Sequence, residues 1–183
     1  MKIYFLRHGT TEANIKGLLS GSRDDYPLAE QGKQDAINAG LQLKNKILAG
    51  EINITQIVSS TMLRARETTQ FVLESLPEDL QKKLKVIHDP RLIEYDYGFL
   101  TGKAKADYNS AQIVTCLGAE DPLKLKQRVV EALNEIKNSN EPTLIVAHGG
   151  VWRMIRTILS GGKLEDFMDL PFFPNGELAE FDY

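Results

Sequence analysis

Four apolar residues in succession, Ile3-Tyr4-Phe5-Leu6, give way without transition to Arg7, His8 and Gly9. The pattern returns late in the chain, where Thr143-Leu144-Ile145-Val146-Ala147 ends at His148, Gly149 and Gly150. A strand with one wet face alternates apolar and polar residues. An unbroken apolar run is instead covered on both faces, as in a parallel sheet flanked by helices. The glycine that follows is expected to let the chain turn out of the strand at once. A third run, Gln56-Ile57-Val58, leads into Ser59 and Ser60, residues suited to capping the helix that follows.

Helical periodicity fills the intervals. Leu28 to about Leu48 shows an apolar face of Ile37, Leu41 and Leu48 with Ala36, Leu43 and Ile47, closed by Gly50. After Ser60, Met62, Ala65, Thr69, Val72 and Leu76 recur at spacings of three and four until Pro77. Pro122 to Asn138 carries Val129, Leu133 and Ile136 on one face, and Val151 to about Leu159 follows His148. Leu84 to His88 reads as a further strand and Leu178 to Tyr183 as an edge strand. Alternating strands and helices predict an α/β fold, a three-layer α/β/α sandwich around a mainly parallel sheet. With 183 residues, 42% of them hydrophobic, one domain over 1–183 accounts for the chain. Leu18 to Pro27 is a polar loop, and Gly102 to Gly118 shows no clear periodicity.

If the three runs are parallel neighbours, their carboxyl ends share one edge of the sheet, where α/β folds bind ligands. Two imidazoles, His8 and His148, and two guanidiniums, Arg7 and Arg64, then meet in one crevice. Arg66 stands about 200° from Arg64 around its helix, so the two cannot face one site. Helix N-termini beginning after Ser60 and Gly150 add N–H donors and positive potential. Such a place attracts an oxyanion, and arginine's planar fork suits phosphate. An imidazole can accept a phosphoryl group and release it later. An alkoxide leaving group then needs a proton, for which Glu94 is the best-placed carboxyl group. Its neighbours Tyr95 and Tyr97 are expected to desolvate it and keep it protonated near neutral pH.

Other chemistries are disfavoured. A net charge of −3 with acids and bases interspersed offers no basic face for nucleic acid. No apolar run approaches the roughly 18 residues that span a bilayer, and the N-terminus is not a signal peptide, so a cytoplasmic protein without membrane contact is expected. One cysteine, Cys116, and three histidines are too few for a thiolate or zinc site, so neither metal nor cofactor is expected. Cys116 and Tyr108 read as packing residues and His88 as a strand end without catalytic role. Gly98 to Lys103 lacks the spacing of a P-loop.

Four segments resemble the successive motifs of the histidine phosphatase superfamily, which contains cofactor-dependent phosphoglycerate mutases and many small phosphatases. They are Leu-Arg-His-Gly-Thr-Thr-Glu-Ala-Asn at 6–14, Ser-Ser-Thr-Met-Leu-Arg-Ala-Arg-Glu-Thr at 59–68, Leu-Ile-Glu-Tyr-Asp-Tyr-Gly at 92–98 and Val-Ala-His-Gly-Gly at 146–150. The resemblance implies that His8 accepts the phosphoryl group while Arg7, Arg64 and His148 bind its oxygens. It further implies that Asn14, the Gly21 loop and Gly149 assist in binding substrate, and that Glu94 is the proton donor. Departures are informative. Ala29 stands where relatives usually carry a capping threonine, which weakens that cap by about 1 kcal/mol. Thr61 replaces a common proline. Mutases of the family carry a long insertion after the position of Gly102, with an adjacent arginine pair for the substrate carboxylate. Here residues 99–121 leave room for only a short lid or none, and no Arg-Arg pair occurs. Hydrolysis of a phosphorylated metabolite or phosphoprotein is therefore expected over mutase activity, with phosphohistidine a further protein substrate class. An inactive domain that binds phosphorylated ligands is the alternative outside enzymes. Oligomeric state is left open.

Overall fold

In the computed structural model, which describes residues 1–171 and 173–183, the two apolar runs are adjacent parallel strands, β1 (Lys2–Arg7) and β4 (Thr143–Ala147). The sheet is completed by β2 (Gln56–Ser60), β3 (Lys85–Asp89) and β5 (Leu178–Asp182), in the order β3-β2-β4-β1-β5. All pairings are parallel except β1 with β5. The helices are α1 (Glu12–Ile15), α2 (Glu30–Leu48), α3 (Leu63–Glu74), α4 (Glu78–Gln81), α5 (Ser110–Val114), α6 (Pro122–Ser139) and α7 (Gly149–Ser160). None of them is long and apolar enough to cross a membrane.

Both faces of β1 are covered, as its composition requires. Ile3 and Phe5 join Ile145, Ala147, Val129, Leu133 and Val151 in the core beneath α6 and α7. Tyr4 and Leu6 join Leu144, Val146, Leu43 and Val72 in the core beneath α2 and α3. This is the predicted three-layer sandwich. Strand β5 forms the expected edge, and it pairs with β1 antiparallel.

Three details differ from the sequence reading. The buried stripe of α2 is Gly32, Ala36, Ala39, Gly40 and Leu43, whereas Leu41 and Leu48 are 43% and 66% exposed. Small residues win because α2 packs closely on α3: a Cβ on Gly40 would lie 2.6 Å from that of Ser75. Gly9, for its part, has no left-handed backbone. It is required because a side chain there would overlap the Gly32 carbonyl, and one on Gly32 would overlap Thr10. The glycine pair brings the loop after β1 onto the first turn of α2.

Ser59 and Ser60 do not cap α3 either. They are the last residues of β2, the helix N-cap is Met62 without a side-chain hydrogen bond, and Ser60 accepts the N–H of that N-cap residue, at 3.3 Å, rather than one of the first helical turn. The segment without periodicity folds as a 3-10 turn at Lys105–Asp107 and the short α5, whose capping box joins Asn109 and Gln112. At the head of α2, Ala29 is the N-cap and has no oxygen to offer the first-turn N–H groups. Ala29→Ser should therefore raise the unfolding free energy by about 1 kcal/mol. Urea denaturation followed by circular dichroism checks this, and an unchanged or lower midpoint would count against an unfilled cap.

Candidate active site

The register of the central strands assembles the site. Arg7 is the β1 partner of Ala147, so the next residues, His8 and His148, leave the sheet side by side at its carboxyl edge. The His8 N–H donates to the Ala147 carbonyl at 3.0 Å, and the two imidazole rings lie 5.1 Å apart. A neighbouring cavity of about 360 Å³ is lined by Arg7, His8, Asn14, Arg64, Glu94 and Gly149 among others.

Each ring is oriented by what it touches. The Nδ1 of His8 lies 2.8 Å from the Gly9 carbonyl, which can only accept, so Nδ1 carries the hydrogen and Nε2 carries the lone pair. Burial, reinforced by the nearby Arg64 and Arg7 guanidiniums, holds this imidazole well below the usual histidine range, so it is neutral at pH 7. His148 is likewise held well below that range, first by burial and then by Arg64. Its Nε2 lies 2.8 Å from Ser60 Oγ. Since that oxygen accepts the Met62 N–H, its own hydrogen is available to Nε2. With Ser60 donating, the His148 hydrogen sits on Nδ1, a buried atom without a hydrogen-bond partner among the described residues. A buried donor left open in this way is costly unless a ligand completes it.

The guanidiniums are fixed from several elements. Arg64, 1% exposed, donates to the carbonyls of Gly21 and Asp24 at 3.1 Å each, and to Asp25 Oδ1 at 3.4 Å. Asp25 also accepts the Leu63 N–H at 2.6 Å, tying the polar loop to the head of α3. Arg66 is exposed, in keeping with its angular offset. Arg7 donates to the Phe173 carbonyl at 2.5 Å, and burial draws it down to about 10, so it stays cationic at neutral pH.

Glu94 is 5% exposed. Its Oε1 accepts N–H groups of Tyr95 at 2.8 Å and Gly150 at 3.0 Å. The N-terminus of α7 thus holds the Glu94 carboxyl group itself, and a Cβ on Gly150 would overlap it. Behind this segment, Arg128 on α6 donates to the backbone carbonyls of Arg91, Ile93 and Glu94 at 2.6 to 3.2 Å.

Of the substrate-binding positions expected from sequence, Asn14 and Gly149 line the cavity, while Gly21 does not. Gly21 contributes its carbonyl to Arg64 and is closely approached by Tyr95, so its place is behind the guanidinium. The Asn14 Oδ1 accepts from the Thr11 N–H, the Thr11 hydroxyl and Asn175 Nδ2, which leaves its own amide hydrogens for a ligand. Asn175 also donates to the His8 carbonyl at 2.8 Å. Sequence reading missed Ser60 as a partner of His148, and it missed Asn175, Arg128, Lys105 and Arg153 altogether. These residues are brought in by tertiary packing, and only Ser60 carried a signal, its position at the end of a strand neighbouring the histidine. His88 is exposed on edge strand β3, away from the cavity, and Cys116 is half-buried.

Among known proteins, the sequence model of the histidine phosphatase superfamily (branch 1) matches residues 3–183. A 2,3-bisphosphoglycerate-dependent phosphoglycerate mutase of Mesorhizobium japonicum is 40% identical over 105 residues, which are 57% of this chain and 47% of that protein. The aligned part is thus about half the length of that relative. Among solved structures, YhfR of Bacillus stearothermophilus superposes with a TM-score of 0.81 at 24% identity, covering 99% of this chain and 90% of the other. The alpha-ribazole phosphatase of Shigella flexneri gives a TM-score of 0.78 at 23% identity, covering 100% and 90% respectively. These two likenesses establish the fold.

Two buried neutral imidazoles make stability depend on pH. Their folded values lie below the unfolded value near 6.5, so the unfolded chain binds the extra protons as pH falls through that point. The stability present above pH 6.5 is then lost by up to about 1.4 kcal/mol per histidine per pH unit. Urea midpoints should fall between pH 7.5 and 5.5 in the native chain and fall markedly less when His8 and His148 are both replaced by Gln. Equal slopes in the two proteins would overturn the neutral-pair assignment.

Proposed function

The chain belongs to the histidine phosphatase superfamily, and on that footing we propose that it is a metal-independent phosphomonoesterase working through a phosphohistidine on His8, with Glu94 as proton donor. The observation that carries this reading is the lone pair on His8 Nε2, held neutral beside the unfilled Nδ1 donor of His148 and the Arg7 and Arg64 guanidiniums. Nε2 attacks phosphorus while the bond to the ester oxygen breaks. Arg7, Arg64, His148 and Asn14 take the charge of the equatorial oxygens, and Gly149 lets the group approach. The departing oxygen receives a proton from Glu94. Its carboxyl group is held in place by the Tyr95 N–H on Oε1 and by the Gly150 N–H shared between both oxygens. Water then attacks phosphorus, returns a proton to Glu94, and the electron pair of the P–N bond goes back to His8.

Hydrolysis is favoured over isomerisation by the segment 99–121. Its 3-10 turn and α5 contribute only Lys105 to the described lining of the cavity, so little stands between a phosphoenzyme and water. The name of the Mesorhizobium relative keeps isomerisation as the competing outcome, read from products: inorganic phosphate for hydrolysis, transferred phosphate for a mutase.

His8→Ala should lower turnover of 4-nitrophenyl phosphate by at least about 10³-fold and remove an acid-labile phosphoryl label from the enzyme. Normal turnover in that variant would exclude the covalent route, and no turnover of any phosphate ester by the native chain would favour a binding domain. Glu94→Gln should slow alkyl phosphates by about 10²-fold or more while costing aryl phosphates much less. A uniform loss across leaving groups would remove the proton-donor assignment.

A further inference from the structure

The segment that carries Glu94 has no regular structure to hold it. Residues 93–96 lie outside every strand and helix, between 3-10 turns at Pro90–Leu92 and Gly98–Leu100, so their backbone carbonyls need partners from elsewhere. Arg128 supplies them. Its Nη1 donates to the carbonyls of Arg91 and Ile93 at 2.7 and 2.6 Å, and its Nη2 to that of Glu94 at 3.2 Å. The rest of the fork meets one carboxylate: Nε donates to Glu120 Oε1 at 2.8 Å and Nη2 to Oε2 at 2.9 Å.

Glu120 closes the grip from the other side. Its N–H donates to the Asp96 carbonyl at 2.9 Å, and its Oε2 accepts the Asp96 N–H at 3.4 Å. The pair stands on a rigid base: α6 is anchored in the core by Leu125 and Val129, both wholly buried, and the Arg128 and Glu120 side chains are themselves only 16% and 15% exposed. A charged fork on several acceptors in such surroundings is short, strong and directional. Arg128 is not among the described lining residues of the cavity, and these bonds go to backbone and to Glu120. Glu94 is thus held at two points, by the Gly150 N–H at its carboxyl group and by α6 at its backbone.

We propose that Arg128, oriented by Glu120, is a positioning residue for proton delivery: by fixing the backbone that bears Glu94, it sets where the carboxyl group meets the departing ester oxygen. The proposal rests on the phosphatase reading of the cavity and adds to it the pair that aims the acid. In the step served, the bond from His8 Nε2 to phosphorus forms, the P–O bond breaks with its electron pair on oxygen, and the Glu94 proton passes to that oxygen. A carboxyl group displaced by about 1 Å loses on the order of 10²-fold in such a transfer. The phosphoryl grip of Arg7, Arg64 and His148 is built on other elements and does not pass through Arg128.

The ratio of kcat/KM for 4-nitrophenyl phosphate to that for butyl phosphate provides the test, because butoxide needs a proton to leave and 4-nitrophenolate does not. Arg128→Met should raise this ratio about tenfold or more. Inhibition by inorganic phosphate, which reads the phosphoryl grip alone, should change by less than about twofold. Arg128→Lys keeps the charge without the fork and should recover only part of the native ratio. In the Glu94→Gln background no acid remains to be aimed, so adding Arg128→Met should move the ratio by less than about twofold. Equal losses on both esters in Arg128→Met, or a full further rise on top of Glu94→Gln, would overturn the positioning role. A Glu94→Gln protein with the native ratio would instead overturn the proton-donor reading beneath it. If Arg128→Met fails to fold, Glu120→Gln keeps the test open: it preserves side-chain size, removes the charge that orients the fork, and should raise the ratio about threefold or more. An unchanged ratio there would likewise count against the proposal.

Discussion

Parallel pairing of β1 with β4 is the constraint on which the rest depends. In a parallel ladder, paired residues reach the same edge with the same polarity, so the pairing of Arg7 with Ala147 delivers the next residue of each strand to the same spot. A slip of β1 by one residue would turn its run inside out, moving Ile3 and Phe5 from one core to the other. The two hydrophobic layers that fix the sheet therefore also fix the spacing of the imidazoles.

Around that pair the chain surrounds charge with oriented backbone. Arg64 is almost wholly buried, yet two loop carbonyls and Asp25 satisfy it. Arg128 gathers three carbonyls of the Glu94 segment, and α7 directs the Gly150 N–H at the Glu94 carboxyl group. The donors left over, His148 Nδ1 and the Asn14 amide, are those an oxyanion would complete. Preorganisation of this kind, rather than mobile side chains, suits phosphoryl transfer, whose demand is chiefly for charge held in place.

The C-terminal segment completes the site from the far end of the sequence. The Phe173 carbonyl receives Arg7, Asn175 donates to the His8 carbonyl and Asn14, and the Gly176 N–H donates to the Arg7 carbonyl at 3.1 Å. Edge strand β5 continues this contact by pairing with β1. Residues 173–183 thus act as a brace on the loop that bears His8.

The sequence by itself determined the layers, the parallel centre of the sheet and the main cast of the site. Unbroken apolar runs report burial on two faces, and an imidazole followed by glycine after such a run marks a strand end. Separating Arg64 from Arg66 needed only the angular period of a helix. Tertiary structure alone decided which contacts are short. Gly9 and Gly32 are glycines because two backbones touch, the inner face of α2 is made of small residues because α3 lies close, and Ser60 serves His148 rather than its own helix. Gly21 recedes behind Arg64 while Lys105 and Arg153 come forward. Local pattern encodes which way a residue faces. Which distant residue it meets is set by the packing of whole layers, and no window of sequence contains that distance.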